Sequence, residues 1–114
     1  MQPMVTPYYL HIFICTDPKP GGCAERGGEQ VRKRLKEELD ARGIGMEVRV
    51  SRCGSIGLCK YGPAVLVYPE GAWYAHVRPE DIPEIVEEHV VHGRPVQRLL
   101  VHRLQPSPEL PVQV

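Results

Sequence analysis

Leu10, Ile12 and Ile14 fall on one side of an alternating run and Tyr9, His11 and Phe13 on the other. A period of two in aromatic and β-branched residues predicts a half-buried strand, with Cys15 at its end. Thr16-Asp17-Pro18-Lys19-Pro20-Gly21-Gly22 follows, a stretch that holds neither helix nor ladder and reads as a loop closed by Cys23. From residue 24 to 41 the period changes. Val31, Leu35 and Leu39 recur every four positions among charged residues, which predicts an amphipathic helix stopped near Gly43. Met46, Val48 and Val50 alternate with Glu47, Arg49 and Ser51 as a second half-buried strand. A glycine-punctuated loop over 52–63 carries Cys53 and Cys59. Residues 64–68 are continuously apolar, as in a central strand, and residues 72–77 return after a Pro69-Glu70-Gly71 turn. Pro79-Glu80-Asp81 opens a second helix, in which Ile82, Ile85, Val86, His89 and Val90 make the apolar stripe and Gly93 the end. Val96, Leu99 and Leu100 are placed to dock on the core.

The order β-α-β, loop, β-β-α predicts an α/β fold, a four-stranded mixed sheet with two main helices. With 114 residues the chain suits one domain. That domain is assigned to residues 1–104, and 105–114, with Pro106, Pro108 and Pro111, to a Pro-rich C-terminal tail.

Charge narrows the functional classes. Basic and acidic residues number 14 each, so the chain lacks the cationic excess that displaces counterions from nucleic acid. The basic residues of 32–36 sit beside acidic ones and read as a solvated helix face. No apolar run approaches the roughly 18–20 residues of a membrane span, and Met1-Gln2-Pro3-Met4 has no signal-peptide character. No membrane association and a cytoplasmic address are the expectations.

In that compartment four cysteines, Cys15, Cys23, Cys53 and Cys59, point to metal or redox chemistry more than to structural disulfides. Each pair is predicted just after a strand, and in an open α/β sheet such loops gather at the carboxyl ends of the strands. A [2Fe–2S] cluster needs four thiolates, two per iron, and backbone that comes close to the sulfides. Gly21, Gly22, Gly54 and Gly57 would permit that approach. Spacing alone leaves three readings open: an iron–sulfur cluster, a zinc site, and thiol/disulfide redox through a Cys53–Cys59 pair. The C-x7-C and C-x5-C spacings match no ferredoxin run, zinc ribbon or C-x-x-C motif.

Residues 10–23, the run Gly54–Pro63, and Val65-Leu66-Val67-Tyr68-Pro69-Glu70-Gly71-Ala72-Trp73-Tyr74 resemble the thioredoxin-like [2Fe–2S] ferredoxins. Residues 79–90 and the close Gly93-Arg94-Pro95-Val96-Gln97-Arg98-Leu99 are similar too, so the match spans roughly residues 8–104. The resemblance implies a thioredoxin-like fold, a homodimer, and one-electron transfer without an enzymatic reaction. It carries Cys15, Cys23 and Cys59 over as ligands of a [2Fe–2S] cluster.

The fourth ligand departs from the family pattern Gly-Cys-x-Gly-x-Cys-x-x-Gly-Pro. Ser55 stands at the aligned position and Cys53 lies two residues upstream. Cys53 is preferred as the softer donor, with Ser55 as the alternative. Of the histidines, His89 lies on the helix's apolar stripe and reads as a core or edge residue, and none forms a spaced pair with a cysteine. Trp73 and Tyr74 read as a packed hairpin face rather than a path for electrons. Lys19, Arg26, Arg52 and Lys60 flank the cysteines against only Asp17 and Glu25, which predicts a redox partner with an acidic docking patch.

Overall fold

The computed structural model describes residues 8–18, 20–57 and 59–103, without the side chain of Cys59. Lys19 and the expected Pro-rich tail at 105–114 lie outside the described residues. Strand β1 (Leu10–Cys15) leads through helix α1 (Gly28–Ala41) to β2 (Val48–Cys53), which pairs parallel with β1. A short 3-10 turn (Cys59–Tyr61) precedes β3 (Val65–Tyr68) and β4 (Ala72–Tyr74), an antiparallel hairpin. A second helical segment, α2, begins as a 3-10 turn (Pro79–Asp81), passes through Ile82–Glu84 and widens to a π-helix (Ile85–Val91). The last strand, β5 (Leu100–Arg103), pairs with β4.

Among the described residues the sheet therefore has five strands in the order β2-β1-β3-β4-β5, one more than predicted. Leu99 and Leu100 do dock, but the chain from Leu100 onward forms a strand of its own. Its burial pattern is one half-buried residue and three exposed ones, so backbone pairing with β4 makes it a strand and no apolar alternation announces it. Two further expectations shift. Helix α1 starts at Gly28 rather than residue 24, because 20–27 fold as turns and Gly27 takes a φ of 100°. Met46, expected on a half-buried strand face, is 85% exposed and precedes β2. The predicted stop at Gly43 is present, with a φ of 73°.

Strand alternation divides the interior in two. Ile12 and Ile14 of β1, Val48 and Val50 of β2, Val65 and Val67 of β3, and Ala72 and Tyr74 of β4 face one core. Val31, Leu35 and Leu39 of α1, with Ile82, Ile85 and Val86 of α2, close it from above. Each such side chain contributes about 1.5–3 kcal/mol on full burial. The intervening strand residues, Phe13, Cys15, Cys53, Leu66, Tyr68 and Trp73, form a second cluster on the opposite face, and no member comes from a helix. Trp73 and Tyr74 thus lie on opposite faces of β4, each packed.

The buried polar side chains of His89 and Tyr74 are hydrogen-bonded to each other. His89 is 1% exposed, with Nδ1 2.6 Å from the Tyr74 hydroxyl and Nε2 2.7 Å from Glu70 Oε1. The Val96 N–H donates to the same hydroxyl at 3.0 Å. His89 is a core residue, as the apolar stripe predicts.

Asp81 pins α2. Its Oδ2 accepts the Arg78 N–H at 2.9 Å and its Oδ1 accepts from Arg98 Nη2 at 2.8 Å. Burial alone would raise its carboxyl, but the Arg98 and Arg78 bonds and charges outweigh this and hold it below the usual range. A depressed folded-state pKa stabilises the fold above the unfolded value of roughly 3.9, and that stability is lost as pH falls through the folded value. Urea titrations between pH 6 and 3 should therefore show a shallower acid loss in Asp81→Asn than in the wild type. Identical slopes would show that Asp81 does not contribute.

Candidate functional site

The site is built on the carboxyl ends of β1 and β2. Cys15 and Cys53 are the last residues of these strands, not members of the loops that follow, and they are Cα partners across the parallel ladder. The Cys15 N–H donates to the Ala64 carbonyl at 3.2 Å and the Thr16 N–H to the Cys53 carbonyl at 3.0 Å, so both strand ends are tied down. Cys15 is fully buried and Cys53 is half-buried.

Cys23 is brought back to this point by its loop. The Ala24 N–H bonds the Asp17 carbonyl at 3.0 Å, and the Cys23 carbonyl accepts the Gly28 N–H at 2.8 Å. Cys23 is fully buried and packs with Cys15, Ala64 and Leu66, while Cys53, Phe13 and Ile56 pack against the same group. The structure thus gathers three of the four predicted cysteines from distant parts of the chain. For Cys59 it gives the backbone, at the start of the 3-10 turn. Its side chain lies outside the described residues.

Ser55 lies two residues beyond Cys53, in the loop after β2. It is exposed, and its Oγ accepts the Gly57 N–H at 3.3 Å within its own loop. Burial first, and then the neighbouring Cys15, push the Cys53 thiol above its ordinary value. Metal binding reverses such a preference, because it takes up the deprotonated thiolate.

A glycine outside the expected four permits a close approach within the chain itself. A Cβ at Gly21, Gly54 or Gly57 would meet nothing within 4 Å. At Gly28 it would overlap the Cys15 carbonyl oxygen and stand 3.0 Å from that of Cys23. Gly28 is therefore the residue that lets the start of α1 rest on both cysteine carbonyls. The only trace of this in the sequence is the Gly27-Gly28 doublet ahead of the helical pattern.

Around the thiols, Arg52 is paired with Glu29, and Arg26 Nε donates to the Gly21 carbonyl at 3.0 Å. Lys60 is exposed beside the second loop. Among the described residues, no three His, Cys, Asp or Glu side chains close on one point as a single metal ion requires. No helix of the described residues is long and apolar enough to cross a membrane.

Residues 2–103 match the model of the sucrase/ferredoxin-like family. The chain belongs to that family. The proteins it is similar to include a 2Fe-2S ferredoxin of Clostridium pasteurianum, 41% identical over 103 residues, covering 86% of this chain and all of that one. A 2Fe-2S ferredoxin of Aquifex aeolicus (strain VF5) is 36% identical over 104 residues, covering 86% of this chain and 94% of its own. A solved thioredoxin-like [2Fe-2S] ferredoxin from Aquifex aeolicus superposes with a TM-score of 0.82 at 35% identity, covering 90% of this chain and 99% of that one. The family fold is thus the fold of this chain, a thioredoxin-like mixed sheet with two helices.

Proposed function

We propose that this protein is a one-electron carrier that holds a [2Fe–2S] cluster on Cys15, Cys23, Cys53 and Cys59 and catalyses no reaction of its own. The observation that carries the reading is the convergence of Cys15, Cys23 and Cys53 at one end of the sheet. The donor set fits the group. Thiolates are the soft ligands that iron–sulfur clusters take, two to each iron. A cluster spreads its ligands over two metal ions, so the thiols need not close on one point. The relatives named 2Fe-2S ferredoxins favour this reading over a zinc site or a catalytic dithiol.

When bound, such a group accepts and returns one electron without making or breaking bonds to carbon. The chain's own residues provide its setting. Cys15 and Cys53 are held at fixed separation by the ladder, and Phe13, Ile56 and Leu66 exclude water beside them. That low-dielectric surrounding tunes a potential through solvent exposure and hydrogen bonding. Protein purified anaerobically should be brown, with two irons and two acid-labile sulfides per chain and one reversible one-electron step. Colourless protein without sulfide, from cells supplied with iron, would overturn the reading.

The redox partner is proposed to carry an acidic patch that meets Arg26, Arg52 and Lys60. The Glu29 pairing leaves Arg52 with 60% of its side chain exposed. The electron-transfer rate constant should fall with salt, as the Debye length shrinks from about 10 Å at 0.1 M to about 3 Å at 1 M. A rate constant unchanged over that range would reject the patch.

The homodimer is a proposal of the same kind. The helix-free face of the sheet leaves Phe13, Tyr68 and Trp73 only half-buried and continues into a groove of about 400 Å³ lined by Tyr61, Trp73, Ala75, Val101 and His102. A second copy of this chain is the proposed cover, and sedimentation at micromolar concentration should show a dimer. A monomer throughout would refute it. The cytoplasm, where thiols stay reduced, is the proposed compartment.

A further inference from the structure

We propose that Cys15 and Cys53 form a disulfide in the cluster-free protein, so that the β1–β2 strand pair is the site of a reversible two-electron oxidation that withholds both thiols from iron. The inference rests on the proposed function, because it concerns two of the residues assigned there. The two cysteines are directly paired across a parallel ladder. Neighbouring strands lie about 4.7–4.9 Å apart, inside the roughly 4.4–6.8 Å that separates the Cα atoms of a disulfide.

Strand alternation puts both side chains on one side. Ile12 and Ile14 of β1 and Val48 and Val50 of β2 belong to the main core, whereas Cys15 and Cys53 belong to the opposite cluster. Both are free thiols. Closing the bond therefore calls for rotation of two side chains that already face the same side of neighbouring strands. Cys23 shares the cluster, but it comes from a loop, and no strand register fixes its distance to either partner.

Burial assigns the order of events, since Cys53 is half-buried and Cys15 fully buried. The oxidant is a low-molecular-weight disulfide. Cys53 gives up its proton and attacks one sulfur of that disulfide. The S–S bond breaks, a mixed disulfide forms on Cys53, and one small thiol departs carrying a proton. Cys15 then gives up its proton and attacks Cys53 Sγ. The mixed disulfide breaks, the Cys15–Cys53 bond forms, and the second small thiol leaves with the other proton. Two protein thiols have lost two electrons, and one small disulfide has become two thiols. Because two proposed ligands are consumed, disulfide and cluster exclude each other.

The test uses the full chain without iron, treated anaerobically with oxidised glutathione. The Cys23→Ala/Cys59→Ala variant keeps Cys15 and Cys53 as its only thiols. It should lose both free thiols and the mass of two hydrogen atoms. In the wild type, cleavage before Asp17, before Asp40 and after Leu58 separates the four cysteines, and the Cys15 and Cys53 fragments should be found joined. Oxidised wild type should then fail to take up iron and sulfide until dithiothreitol restores it. A lasting glutathione adduct on Cys53, or a Cys53–Cys59 link in place of the expected one, would overturn the proposal. Reduced wild type that never acquires a cluster would instead overturn the proposed function, and the thiol measurements would still decide the disulfide.

Discussion

Cys53→Ala, purified anaerobically, should lose the visible absorption and the iron of the wild-type protein, whereas Ser55→Ala should keep both. The expectation follows from where the two side chains lie. Cys53 ends β2 opposite Cys15 and packs into the group that holds Cys15 and Cys23. Ser55 is exposed, and its hydroxyl oxygen accepts a hydrogen bond from Gly57 in its own loop. Chemistry points the same way. A thiol with a free pKa near 8.5 becomes a thiolate beside iron far more readily than an aliphatic alcohol loses its proton. Loss of a residue that merely supports a metal ligand weakens binding roughly 10–100-fold. Loss of a ligand should lower iron content at fixed supply by at least about tenfold. The reverse outcome, an intact Cys53→Ala and a colourless Ser55→Ala, would assign the fourth position to the serine. The aligned position would then have prevailed over the strand register.

Gly28→Ala should unfold at lower urea concentration and hold less iron. Helix propensity favours alanine over glycine by up to about 1 kcal/mol, so the sign depends on the clash. The new Cβ would overlap the Cys15 carbonyl oxygen and crowd that of Cys23. Neither oxygen belongs to a side chain that can rotate away. Overpacking typically costs about 1–3 kcal/mol, and with backbone on both sides the upper part of that range applies. The net loss should be about 2 kcal/mol. Relief of the clash must shift either α1 or the two cysteine backbones, so iron occupancy should fall with stability. Gly54→Ala is the control. Its Cβ would meet nothing within 4 Å, and its midpoint should stay within about 0.5 kcal/mol of the wild type. An unchanged midpoint in Gly28→Ala would show that α1 does not rest on the cysteine carbonyls as described.

The elements that were legible in the sequence are those whose burial is written in their own period. Alternation in β1 places Ile12 and Ile14 in the core, and the four-residue recurrence of Val31, Leu35 and Leu39 places α1 upon it. Each pattern is a property of a few consecutive residues, because a strand or helix turns its side chains by a fixed local geometry. The cysteines were legible as a set, from their number and from their position after predicted strands. Backbone pairing and the approach of distant segments were not written in any local pattern. Strand β5 exists because β4 offers it an edge, and its two apolar residues, Leu100 and Val101, are adjacent rather than alternating. The regular second helix expected from Ile82, Ile85, Val86 and His89 widens to a π-helix, where His89 joins Tyr74 and Glu70. Gly28 could not be told from the other glycines until two carbonyls were seen against it. Above all, Cys53 stands opposite Cys15 because a parallel ladder joins segments 38 residues apart in register, Leu10 with Val48 through Cys15 with Cys53. A register is a relation between two strands, and no pattern within either one contains it.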